Sequence, residues 1–164
     1  MIFNKFFFYN FLTITFVYIL DRVSKIYIIN LDKTNFGTDI FVSKYLNINL
    51  IWNKGVSFGF FAFDKHYLYN LLSLFILFII IILIYMTIKN HGLKRIFFLI
   101  IIGGAIGNFH DRIQYKAVPD FIDFHVGDFH WFIFNVSDIF ITIGVIGIII
   151  LELTNNKKID NEKV

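Results

Sequence analysis

The sequence predicts an all-α membrane protein of four transmembrane helices, with a small extracytoplasmic β-sheet built from the first outer loop. Three observations carry that expectation. Hydrophobic residues make up 57% of the chain and charged ones 16%, at a mean hydropathy of +0.70, whereas a soluble domain is about 45–50% apolar. Four apolar runs fit within 164 residues, each close to the roughly 20 residues that cross a bilayer. Between the first two runs, residues 45–51 (YLNINLI) alternate with a period of two, the pattern of a half-buried strand. Nothing remains for a separate soluble domain, so residues 1–164 are read as one domain.

The first helix is expected over residues 6–29. A secretory leader also opens with a positive charge and an apolar centre, but it ends in a small-residue cleavage site, which this stretch lacks, so the helix is read as retained. Asp21 and Lys25 are four apart and share a helix face. They read either as an ion pair snorkelling at the interface or as part of a site. The outer loop, residues 30–66, carries the strand pattern, with Asn53-Lys54-Gly55 as its turn.

The second helix, residues 68–88, offers no chemistry. A basic connection follows (Lys89, His91, Lys94, Arg95), then a third helix over residues 96–112, where Gly103 and Gly107 stand in the GxxxG spacing that lets a neighbouring helix approach closely. Residues 113–130 form a polar, aromatic connection, a fourth helix spans residues 131–153, and the polar tail is expected to fray. Positive charge concentrates in the 89–95 connection and in the tail (Lys157, Lys158, Lys163), which places both in the cytoplasm. Both termini then lie inside, and the loops 30–66 and 113–130 share the outer face. The net charge of +3 comes from these helix ends and forms no basic stripe for nucleic acid. With no cysteine in the chain, disulfides, thiol nucleophiles and cysteine metal sites are excluded.

An ionisable residue inside a span costs roughly 2.5–3.5 kcal/mol on insertion scales, so each one asks for a reason. Asn108, Asp111 and Arg112 share a face at the outer end of the third helix, with Gly104 one turn below leaving an opening beside them. A purely structural Asp–Arg pair capped by the asparagine is the plainer reading. Asp138 lies within the fourth apolar run, expected about two turns from its outer end, with Asn135 on the same face. It reads as an acid at a site or as glue between helices. Asp120 follows Pro119, the only proline, and is presented from a stiff segment, but Asp123 competes for the same role and spacing does not choose. Two carboxylates brought together share one proton: the ionised member takes a proton from water attacking a carbonyl, and the protonated one polarises the carbonyl oxygen.

Two further patterns are set aside. Residues 55–59 (GVSFG) fit the G-x-S-x-G nucleophile elbow around Ser57, but that elbow needs a hydrolase sheet for which this chain has no room. Asp123-Phe124-His125 and Asp128-Phe129-His130 look like metal ligands, yet lack H-E-x-x-H and straddle a plausible turn at Val126-Gly127. A hydrated hairpin is preferred there, and no metal or cofactor is expected. Outside proteolysis, the alternative function is a small transport or channel subunit in which Asp111, Arg112 and Asp138 line an ion path.

The chain resembles the lipoprotein signal peptidases (signal peptidase II), bacterial intramembrane aspartic proteases. The likeness rests on Asp21-Arg22-Val23-Ser24-Lys25, on Asn53-Lys54-Gly55-Val56-Ser57-Phe58, and on residues 103–112 (GGAIGNFHDR). Val118-Pro119-Asp120-Phe121 and Phe134-Asn135-Val136-Ser137-Asp138 complete it, five motifs in the family's order. The resemblance implies that Asp120 and Asp138 are the catalytic pair. It also implies that Asn53, Gly55, Asn108, Arg112 and Asn135 shape or bind at the site, with Asp21 and Lys25 as further motif positions. The implied substrate is a prolipoprotein, cut before a cysteine already carrying diacylglycerol. Expected partners are such signal peptides and membrane lipids, the expected state a monomer in the bacterial inner membrane, and the expected site near the extracytoplasmic face. Val56-Ser57 stands where the family commonly has two alanines, and Ser137 where it has one, adding a hydroxyl beside the proposed acid.

Overall fold

Residues 2–35, 37–55 and 66–161 are described by the computed structural model. The chain runs α1 (Ile2–Asn35), β1 (Asp39–Ser43), β2 (Leu46–Asn53), α2 (His66–Lys89), α3 (Gly92–Tyr115), β3 (Val118–Val126), β4 (Phe129–Phe134) and α4 (Val136–Asn161). The third helix packs against each of the other three, and α1 also touches α4. Burial is inverted relative to a soluble bundle. Phe7 and Phe16 of α1, Leu74 and Phe78 of α2 and Ile146 of α4 are exposed, while among the described residues Lys25 is the largest of the fully buried side chains. Apolar flanks around polar contents suit hydrocarbon as the solvent.

Among the described residues, three helices are long and apolar enough to cross a membrane, over Tyr69–Lys89, Gly92–Tyr115 and Val136–Thr154. The first helix is not among these three, and Asp21, Arg22 and Lys25 stand within its apolar run. Helix limits also differ from the sequence reading. The third helix continues through Tyr115 and stops where Lys116 adopts the left-handed conformation, φ 57°, a common helix C-terminus. The fourth begins at Val136 and continues to Asn161, with its start displaced because the preceding residues 129–134 (FHWFIF) form a strand.

The sheet is antiparallel throughout, in the order β1-β2-β3-β4. Only half of it comes from the first outer loop, because the 113–130 connection and the segment after it supply the other two strands. Alternation is hidden in β3, whose first four residues are all buried in a strand that packs against α1 and α3. Its partner β4 first pairs at Ile122↔Phe134, so Pro119, which has no N–H to give, sits where only β2 flanks the strand.

Glycines set how closely the helices approach. A Cβ on Gly103 would lie 2.8 Å from the Val17 Cβ and 3.0 Å from the Ile14 carbonyl oxygen of α1. On Gly104 it would lie 2.7 Å from the Ser137 carbonyl oxygen of α4. Replacement of Gly103 by leucine is therefore expected to push α1 outward and cost about 1–3 kcal/mol, read as a lower thermal unfolding midpoint of the detergent-solubilised protein. Gly127→Asn, at a turn with open space around it and φ 59°, should leave that midpoint almost unmoved, because asparagine tolerates the left-handed region.

Candidate active site

The site begins as a charge problem inside the bundle. Asp21, Arg22 and Lys25 occupy little more than one turn of α1, and Asp111 meets them from α3. Asp21, Lys25 and Asp111 are all 0% exposed. Ions taken out of water cost several kcal/mol each unless every donor and acceptor is matched. Here the match is complete for Lys25, whose three ammonium hydrogens meet three acceptors, Asp21 at 2.9 Å, Asn108 Oδ1 at 2.8 Å and Asp111 at 2.7 Å. Arg22 reaches Asp111 at 2.5 Å and Asp21 at 3.2 Å. Two carboxylates against two cations leave the cluster neutral.

From this cluster the hydrogen bonds run outward to the two aspartates of interest. Asn108, with its Oδ1 held by Lys25, donates Nδ2–H to Asp138 Oδ1 at 2.8 Å. Asp21 also accepts the backbone N–H of Ser137 at 3.1 Å, which fixes the first turn of α4. That turn can come so close only because residue 107 is glycine: a Cβ there would lie 2.5 Å from both Asp21 Oδ2 and Ser137 Oγ.

Asn135 precedes α4 and forms a reciprocal cap with Asp138. Its Oδ1 accepts the Asp138 N–H at 3.2 Å, and its own N–H donates to Asp138 Oδ2 at 3.1 Å, the capping-box arrangement with Asp in the acidic position. Asp138 therefore stands in the first turn of its helix and not two turns inside it. The same Asn135 donates its side-chain Nδ2–H to Asp120 Oδ1 at 2.6 Å, so one residue links both carboxylates, through its side chain to Asp120 and its backbone N–H to Asp138. Register explains the meeting: β4 ends at Phe134 opposite Ile122, which delivers Asn135 beside the Asp120 end of β3.

The other Asp120 oxygen accepts Asn53 Nδ2–H at 2.8 Å, and Asn53 Oδ1 accepts the Gly55 N–H at 2.9 Å, closing the turn expected after β2. Arg112 straps this turn to α3, donating to the Gly55 carbonyl at 3.3 Å and the Asn108 carbonyl at 3.0 Å. Among the described residues neither Asp120 nor Asp138 is in a salt bridge; both are held by neutral amides. Burial, with Asp120 only 4% exposed, and then the nearby Asp138 charge push the Asp120 carboxyl up to about 6, against the lowering effect of Asn135, Asn53 and the more distant Lys25.

Asp21, Lys25, Asn53, Gly55, Asn108, Asp111, Arg112, Asp120, Asn135 and Asp138 join this one network, and Gly104 contributes contact. The opening expected beside Gly104 is filled by Ser137 and Ile141 of α4. The purely structural Asp111–Arg112 pair, the plainer alternative, is absent among the described residues: Asp111 turns to α1, Arg112 to the β2 turn. Asp123 is engaged by His130 Nδ1 at 2.8 Å and takes no part. Ser137 Oγ has no hydrogen-bond partner and so makes no bond to Asp138. Arg22 was overlooked, although an arginine in an apolar run raises the same question as Asp21. Val56 and Ser57 lie outside the described residues.

Comparisons with known proteins agree with one another. The family model described as signal peptidase (SPase) II matches residues 13–154. A lipoprotein signal peptidase of Pelagibacter ubique (strain HTCC1062) is 51% identical over 97% of this chain and 96% of its own. One from Anaplasma phagocytophilum (strain HZ) is 40% identical over 86% and 89%. A bacterial membrane enzyme solved by the in meso method at 2.3 Å resolution superposes with a TM-score of 0.74 at 32% identity, covering 91% of this chain and 90% of that one.

Loss of one partner from the buried cluster should be severe. Lys25→Met leaves Asp21 and Asp111 with Arg22 alone and is expected to cost about 3–5 kcal/mol, measured by denaturant unfolding in detergent. A double variant, Lys25→Met with Asp111→Leu, should recover part of that loss, since it removes a stranded charge along with its partner.

Proposed function

The chain belongs to the signal peptidase II family, and on that premise we propose that it releases the signal peptide of diacylglyceryl-modified prolipoproteins by cutting before the lipidated cysteine, with Asp120 and Asp138 as the catalytic pair. The observation that carries this reading is that Asn135 donates to both carboxylates, its side-chain Nδ2–H to Asp120 and its backbone N–H to Asp138. Two carboxyls so linked, in a place from which cations are held back, share one proton. The ionised member removes a proton from water as the oxygen attacks the scissile carbonyl carbon, and the protonated member donates to the carbonyl oxygen. Collapse of the tetrahedral species breaks the C–N bond and returns a proton to the departing amine. The products are a signal peptide ending in a new carboxylate and a lipoprotein beginning at its cysteine.

The protein is a multi-pass bacterial membrane protein. We read α1 as its fourth crossing. Its 34 residues reach about 50 Å, its outer flank is apolar (Phe7, Phe11, Phe16, Ile19), and its central charges, Asp21, Arg22 and Lys25, are spent within the bundle. With the basic α2–α3 connection in the cytoplasm, the sheet and the aspartate pair fall at the opposite, extracytoplasmic face, where a lipid-anchored substrate arrives sideways through the bilayer. A monomer suffices for this chemistry, since all the groups named come from one chain. The ion-path alternative draws no support from the relatives, and Asp111 is committed to Arg22 and Lys25.

With a lipidated prolipoprotein peptide as substrate and EDTA present, Asp120→Asn and Asp138→Asn should each lose cleavage by about 10²–10⁴-fold while still accumulating in the membrane, and Asp123→Asn should still cut. Retained cleavage in both of the first two variants would remove the pair from the mechanism. The pH profile gives a second check. Because burial and the ionised Asp138 push the Asp120 carboxyl up to about 6, the pair takes up its single shared proton as pH falls through that value, so kcat/KM should decline as pH rises above about 6, where the acid is lost, and decline again in stronger acid, where the second carboxylate is protonated and the base is lost.

A further inference from the structure

Sequence pattern weighed against metal binding at the β3–β4 hairpin, but it could not show the register. Pairing runs Ile122↔Phe134, Asp123↔Ile133, Phe124↔Phe132, and then shifts to His125↔His130 and Val126↔Phe129 around a two-residue turn at Gly127-Asp128. In an unshifted ladder His130 would face Val126 and point to the opposite side of the sheet from His125. The bulge moves it by one residue, and a one-residue slip exchanges faces. His130 is thereby turned toward Asp123 and His125, which are two apart on β3 and share a face.

We propose that Asp123, His125 and His130 form a binding site for a divalent transition-metal ion of the zinc class, on the hairpin and apart from the aspartate pair. One ligand atom from each residue lies within 4.8 Å of the other two. The His125 and His130 rings stack with centroids 5.1 Å apart, and His130 Nδ1 stands 2.8 Å from Asp123 Oδ2. The second observation is the state of His125: it is 9% exposed, and its buried Nδ1 has no hydrogen-bond partner. An imidazole nitrogen left without a partner is expensive, and a metal in this cluster supplies one.

The donor set selects the ion. Two imidazole nitrogens and one carboxylate oxygen suit zinc and its neighbours, whereas calcium and magnesium call for oxygen ligands throughout. Ligands about 2.0–2.2 Å from tetrahedral zinc stand roughly 3.4 Å apart, a closure that rotation of the His130 side chain, 53% exposed, can supply. Three protein ligands leave the fourth position to water. The ion takes the hydrogen's place on the His130 nitrogen that faces Asp123, the imidazole keeping its one proton on the other ring nitrogen, and because only the neutral ring can ligate, binding weakens on acidification. Its structural consequence is to staple the two strands three residues beyond Asp120.

Full-length protein in detergent, stripped with chelator, is titrated with zinc and with cobalt(II), the latter read by its ligand-field absorption. The expected result is one equivalent of either ion, with calcium unable to compete. His130→Ala, at an exposed position, and His125→Phe, which keeps a ring at the buried one, should each weaken binding more than about 10-fold. His91→Ala and Asp138→Asn should bind as the wild type does, the latter keeping this test separate from the fate of the peptidase reading. No saturable binding by the wild type, undiminished binding in both hairpin variants, or loss in His91→Ala would each overturn the site.

Discussion

The whole arrangement depends on how Lys25 is buried. A fully enclosed ammonium survives only if all three of its hydrogens find acceptors in fixed places, and those acceptors, Asp21, Asn108 and Asp111, lie on two helices. Meeting the demand sets the relative height and rotation of α1 and α3. It also orients an amide. With its oxygen held by Lys25, Asn108 can only present its NH₂ to the other side, where Asp138 lies. A solvation requirement at the centre of the bundle thus becomes a positional constraint on a carboxylate at its edge.

Asn135 supplies the complementary constraint from the sheet side. Its capping bonds fix where α4 begins, and its remaining donor reaches Asp120. A helix start is an energetic necessity, because the first backbone N–H groups have no partners within the helix. Here that necessity places Asp138 in the first turn, where the helix dipole favours negative charge. Local capping and the meeting of two carboxylates are one geometry. Gly107 makes it reachable, since any side chain there would collide with Asp21 and Ser137 together.

The polar residues of the site were legible because ionisable groups in apolar runs demand an explanation, and Asp21, Lys25, Asp111 and Asp138 all stood out on that ground. Their partners were not. Asp111 and Arg112 are adjacent in sequence, yet successive residues on a helix point about 100° apart, enough to send one to α1 and the other to the β2 turn. Residues 118–134 hid their strands for two reasons. Burial on both faces removes the period-two pattern from the start of β3, and the aromatic run of β4 reads equally as a helix or a strand. Spacing left Asp120 and Asp123 open and the family resemblance pointed to Asp120; the sheet adds which of the two meets Asn135.

The kind of group placed around the pair matters as much as its position. A cation in direct contact with either carboxylate would favour the fully ionised state, and a pair without a proton has no acid to offer a carbonyl. The nearest cations are spent elsewhere: Lys25 and Arg22 on Asp21 and Asp111, Arg112 on two backbone carbonyls. What touches the pair are side-chain amides, Asn53 and Asn135 on Asp120 and Asn108 on Asp138, plus one backbone N–H. These orient an ionised carboxylate without neutralising it, and leave burial and mutual repulsion to lift Asp120 to about 6. The charge-balanced salt-bridge cluster one layer down is what makes this possible, because it holds positive charge close enough to limit the cost of a buried carboxylate yet too occupied to quench it.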